Sequence, residues 1–73
     1  MFTVCRYFLV NGREDGRMDV TIKEFTTFAK ALAYGQRYAK GIRFLSFTIE
    51  DENGKELYEQ MSDGTMRIDE TIL

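Results

Sequence analysis

Histidine and proline are absent from this 73-residue sequence, and cysteine occurs once, as Cys5. The missing histidine removes the usual zinc and haem ligand sets, and with them the side chain that ordinarily shuttles protons near neutral pH. A lone cysteine excludes an internal disulfide. No apolar run approaches the roughly 20 residues needed to cross a bilayer as a helix. The stretch Phe2 to Val10 is broken by Arg6 and lacks the basic leader and small-residue cleavage site of a secretory signal. A free thiol without an export signal leads to the expectation of an intracellular, cytoplasmic protein. The lack of proline fits a compact sheet with few rigid loops.

Catalytic chemistry is poorly provided for. The one candidate nucleophile, Cys5, is assigned to a packed face, where a thiol is structural. The acidic run Glu50-Asp51-Glu52 reads as a solvated hairpin tip rather than a cation site. Gly12 to Gly16 lacks the Gly-Lys-Ser/Thr ending of a phosphate loop. The final Glu70-Thr71-Ile72-Leu73 is similar to C-terminal ligands of strand-adding domains, through three loosely defined positions that often arise by chance. The expectation is a protein that is not an enzyme and uses no cofactor or metal.

What is present is a globular composition, 44% hydrophobic and 14% aromatic. One domain of this size buries only about 60% of the surface its unfolded chain exposes. Its core rarely supplies more than roughly 3 to 5 kcal/mol. With disulfides and metals set aside, self-association is the stabilising route left, and a homodimer is expected. Charge is also segregated. Residues 1–45 carry eight cations against four carboxylates, net +4, whereas residues 46–73 carry two against eight, net −6. Such asymmetry bears on partners rather than fold, as a device that steers a partner or aligns two copies.

Alternating strand-like residues fill positions 2–10, a turn-rich cluster follows from Asn11 to Gly16, and Met18, Val20 and Ile22 alternate again. Looping out residues 11–16 sets Leu9 opposite Met18, Tyr7 opposite Val20 and Cys5 opposite Ile22. That all-apolar face is assigned to the core. Val4, Arg6, Phe8 and Val10 then share the other face with Asp19, Thr21 and Lys23. A helix is predicted from Thr27 to Lys40, capped by Thr26 or Thr27, with Gly41 in a left-handed position beyond it. Its buried stripe is Phe28, Ala31, Leu32, Gly35 and Ala39, with Gly35 allowing close approach to the sheet. Ile42 to Ile49 reads as a third strand, and Asn53-Gly54 as a hairpin leading to a fourth, Lys55 to Met61. Two registers compete. A two-residue turn opposes Ile49 with Tyr58, while a three-residue loop with Gly54 as a bulge opposes Ile49 with Leu57 and Leu45 with Met61; the second joins more apolar pairs and is preferred. Either way Leu45, Phe47 and Ile49 are expected to face the helix, and Ile42, Phe44, Ser46 and Thr48 to face away.

The fold class is therefore α+β. Residues 1–63 form a ββαββ domain, a four-stranded antiparallel sheet in order 2-1-3-4 with one helix on one face. Residues 64–73 are a tail that forms a short strand or helical turn and has the apolar residues to pack on the sheet. One helix of about 14 residues, ~21 Å long, covers one face only. The open face is expected to present Val4, Phe8, Val10, Ile42 and Phe44, flanked by Arg6 and Lys23, as a partner-binding patch. Lys30, Tyr34 and Arg37 form a secondary patch on the helix, a set that is more often simply solvated.

Lys40-Gly41-Ile42-Arg43-Phe44-Leu45-Ser46-Phe47 resembles the first signature of RNA-recognition domains, and Phe8-Leu9-Val10-Asn11 resembles the second. The resemblance implies base stacking on Phe8 and Phe44. The chain departs from that family where Ile42 and Arg43 replace an aromatic and a small residue, and where no helix separates the first two strands. In size, absence of histidine and a lone Cys5, the whole chain resembles the early-region accessory proteins of tailed phages and prophages. That resemblance implies a non-enzymatic factor that binds a host or phage protein. The reading is thus a small binding protein acting by protein–protein recognition. The alternative is a nucleic-acid-binding domain using Arg6, Phe8, Lys23 and Phe44.

Overall fold

In the computed structural model, which describes residues 1–10 and 18–72, the elements run in the order β1 (Phe2–Leu9), β2 (Met18–Phe25), α1 (Phe28–Arg37), β3 (Phe44–Glu50), β4 (Glu56–Met61), β5 (Met66–Ile68) and a 3-10 turn (Glu70–Ile72). The turn cluster from Asn11 to Gly16 and the terminal Leu73 lie outside the described residues. The fold is α+β, and its antiparallel sheet has five strands in the order β2-β1-β3-β4-β5. The expected four-strand order is kept and extended. The tail does not lie over a face but adds an edge strand, with Tyr58 opposite Ile68 and Gln60 opposite Met66.

The first hairpin has the expected register, with Leu9 opposite Met18, Tyr7 opposite Val20 and Cys5 opposite Ile22. The helix begins as expected, with the Thr27 hydroxyl accepting the Lys30 N–H at 3.2 Å. It ends three residues before the expected Lys40. The chain must turn there to reach β1, where the Leu9 N–H donates to the Arg43 carbonyl at 2.7 Å. Gly41 adopts its left-handed conformation in that connection, with φ +98°.

Two bulges decide which side chains reach the core. Between β1 and β3 the register steps from Tyr7–Ser46 to Phe8–Phe44, leaving Leu45 as the extra residue. Phe44 thereby joins Phe47 beneath the helix, and the expected placements of Phe44 and Leu45 are exchanged. In the second hairpin the Asp51 N–H donates to the Lys55 carbonyl at 2.9 Å, giving a three-residue loop with Gly54 at φ +82°. Glu50 pairs with Glu56, but the next pair is Ile49–Tyr58, so Leu57 is the extra residue. The preferred Ile49–Leu57 pairing is corrected accordingly. The bulge turns Tyr58 toward the helix, where it stacks on Phe47 with ring centroids 5.6 Å apart.

The core comprises Val4, Ala31, Phe44, Phe47, Ile49 and Tyr58, with Phe2, Phe25, Phe28 and Leu32 packed against it. This reverses the assigned faces of the first hairpin. Val4 lies opposite Ile49 on β3, so the face carrying Phe2 and Val4 goes under the helix, while Cys5, Tyr7 and Leu9 turn to the helix-free face. The physical reason is volume. Phe2 and Phe25 meet the rings of Phe28 and Tyr34 edge-on or tilted, and a face lined by Met18, Val20 and Ile22 offers no such aromatic match.

Gly35 sits directly over Phe47. A methyl group placed there would be 2.7 Å from Phe47 Cζ and closer still to Cδ2 and Cε2. Gly35→Ala should therefore destabilise the fold by about 1 to 3 kcal/mol despite the better helix propensity of alanine. Equilibrium urea denaturation checks this, with an unchanged or raised midpoint as the contrary result.

Candidate functional site

The seven residues expected on the open face do not share it. Val4 is fully buried in the helix-packed core, and Phe44 is buried there too, reaching only the floor of a hollow beside Arg6 and Phe8. Their placement is corrected for the reasons given above: the inverted face of β1 and the bulge at Leu45. Arg6, Phe8 and Lys23 lie on the helix side of the sheet, around the margin of α1 rather than opposite it. Val10 is half-buried just past the end of β1, and Ile42 is 81% exposed in the connection to β3.

There the open-face cations meet the secondary patch. The Lys23 ammonium lies 5.1 Å from the centre of the Tyr34 ring and 5.7 Å from that of Phe25. The Arg6 guanidinium is held between Phe8 and Tyr38, at 5.3 and 5.6 Å, and Arg37 approaches the other part of this group at 5.6 Å from Tyr38. Each distance is within the range in which a ring face attracts a cation. Two shallow hollows mark this surface. One lies among Arg6, Phe8, Lys40 and Arg43, and the other among Lys23, Lys30, Tyr34 and Arg37. Two patches drawn separately from the sequence thus form one basic, aromatic surface. Tyr38 links them, and it was missed because it falls beyond the apolar stripe of the helix.

The helix-free face has a different character. Val20 and Ile22 lie opposite Tyr7 and Cys5, and Met18 lies opposite Leu9. Met18 is 65% exposed, Ile22 62%, Met61 41% and Val20 40%, which makes this an exposed apolar face. An open hollow lies among Tyr7, Met18, Leu45 and Met61, with Glu56 and Glu59 at its rim. Arg67 approaches both carboxylates, at 3.2 Å from Glu59 and 3.9 Å from Glu56. The signal for this face was in the sequence, as the matched apolar pairs of the first hairpin.

Cys5 belongs to the same face, not to the helix-packed one, yet it is buried between its cross-strand neighbours Ile22 and Thr48. Burial, then the nearby Glu50 carboxylate, pushes its thiol above the ordinary 9.0. Tyr7 is pushed above 10.0, chiefly by burial. Both groups hold their protons more tightly in the fold than in the unfolded chain. Their contribution to stability is therefore full at neutral pH and declines as the pH climbs past 9.0 and then 10.0. Among the described residues no helix is long and apolar enough to cross a membrane.

Cys5 in the native protein should accordingly react with a disulfide reagent at neutral pH at least about tenfold more slowly than in denaturant. Thiol-labelling rates measured in both states check this. Equal rates would show that the thiol is not shielded.

No protein-family model matches the chain, and no curated protein or solved structure matches it.

Proposed function

We propose that the chain is a small binding protein that acts without catalysis, by protein–protein recognition through the helix-free face of its sheet. The observation that carries this reading is the exposed apolar row Met18, Val20, Ile22 and Met61 around Tyr7. Surfaces that combine methionine with aromatic and branched side chains adapt to protein partners, because the thioether has three rotatable bonds and repacks at little cost. The carboxylates of Glu50, Glu56 and Glu59 flank the row, and Arg67 approaches the last two. The fitting partner is thus a protein with an apolar ridge and a basic rim. On the resemblance to phage early-region accessory proteins, that partner is a host or phage protein in the cytoplasm.

A second reading has its own support. Arg6, Lys23 and Arg37 lie over the rings of Phe8, Tyr34 and Tyr38, a combination suited to stacking and backbone neutralisation on single-stranded nucleic acid. It concerns the other side of the molecule, so separate substitutions distinguish the two.

Val20→Glu and Met61→Glu change exposed positions and should leave the fold intact while abolishing specific partner capture in affinity purification. Arg37→Glu should leave capture unchanged. Anisotropy of a labelled single-stranded oligonucleotide, followed across a salt series, supplies the counter-test. Salt-sensitive binding lost on Arg37→Glu, with capture indifferent to Val20→Glu and Met61→Glu, would replace the first reading with the second.

A further inference from the structure

We propose that β2 is a self-recognition strand. Two copies pair β2 to β2, antiparallel, about a twofold axis at Thr21, and their sheets join edge to edge. The pairing shares Val20 and Ile22 with the row on the helix-free face and brings two such faces side by side, so Met61 on β4 and the Asp19–Lys23 pair are what separate the two contacts.

β2 is one of the two edge strands and, among the described residues, is bonded to β1 alone. Its eight residues contain no proline and expose Met18, Val20 and Ile22, so the edge lacks the usual protection of short length or ring blockage. The backbone orientation can be read from one contact. The Val20 N–H donates to the Asp19 carboxylate at 2.8 Å and is therefore turned away from β1. Alternation then directs the N–H and C=O groups of Met18, Val20, Ile22 and Glu24 outward.

An antiparallel mate must set outward residues against outward residues, which requires the twofold to fall on a residue and not between two. Three central positions are available. With the axis at Ile22, Val20 meets the partner's Glu24, and with the axis at Val20, Asp19 meets the partner's Thr21. At Thr21, Val20 faces the partner's Ile22 on the helix-free side, and Asp19 faces the partner's Lys23 on the helix side. Symmetry makes each pair twice. All three registers join branched apolar side chains, since Val20 or Ile22 meets its own copy in the other two, and this one also sets Met18 against the partner's Glu24 at the ends; it alone opposes unlike charges directly. In the isolated chain Asp19 caps the edge. On pairing, its carboxylate turns to the partner's Lys23 and releases the Val20 N–H to the partner's Ile22 carbonyl.

Light scattering over a concentration series should show a monomer–dimer equilibrium. Asp19→Lys and Lys23→Asp should each raise the dimer Kd about tenfold or more, with circular dichroism unchanged, and the double variant should return Kd toward the starting value. Thr21→Cys in a Cys5→Ser background should form an interchain disulfide on mild oxidation, because residues opposed at a non-hydrogen-bonded position have Cα atoms about 4.5 Å apart. A chain that stays monomeric throughout and does not cross-link would overturn the proposal. So would a dimer that ignores both charge reversals but is broken by Met61→Glu, which places the contact on the sheet face. The face reading fails separately, when Met61→Glu leaves partner capture intact.

Discussion

Phe47 beneath Gly35 is the contact on which the remaining architecture depends. The ring is fully buried, stacks on Tyr58 and lies tilted against Phe44. It fits only because the helix has no side chain at that point, so ring and helix backbone meet directly. Once Phe47 points to the helix, so must Ile49 on β3. Their β1 partners Arg6 and Val4 then take the same side, since residues directly opposed across an antiparallel pair share a face. The face of each side chain in β1 and β2 follows from that choice.

The two bulges serve the same aromatic packing. Without the extra Leu45, unbroken alternation would leave Phe44 in solvent. Without the extra Leu57, the tyrosine that stacks on Phe47 would point away from the helix. Each bulge brings an aromatic side chain under the helix, Phe44 in place of Leu45 and Tyr58 beside a Leu57 that stays buried. An aromatic ring buries about 150 to 250 Å², and in a domain with so little interior that difference outweighs a disrupted ladder position.

The consequence is a molecule with two unlike sides. The helix side carries cations seated on aromatic rings, from Arg6 through Tyr38 to Lys23. The helix-free side carries an apolar centre bordered by carboxylates. Charge segregation along the sequence therefore becomes segregation across the sheet. The ion pairs found among the described residues, Lys55–Asp69, Arg67–Glu56 and Arg67–Glu59, all lie toward the acidic end. These pairs are largely exposed, so they tie the added strand to its neighbours without contributing much stability.

Local and pairwise signals carried the sequence reading far. A helix cap at Thr26 or Thr27, Gly35 as the point of close approach, the register of the first hairpin, the order 2-1-3-4 and the three-residue loop at Gly54 all rest on interactions within or between adjacent segments. The sequence also contained the candidate residues of both surfaces, though it divided them wrongly. Matched apolar pairs such as Tyr7 with Val20 have the pattern of a core face, while Val4 and Phe44 alternate in rows with the polar Arg6 and Ser46, as surface residues do. Which face of a two-sided apolar hairpin is buried cannot be read from the hairpin itself, because period-two alternation looks the same from either side. Only the tertiary structure decided it, where the aromatic volume of α1, β3 and β4 had to close around Phe47, and one inserted residue was enough to turn a ring from solvent to core.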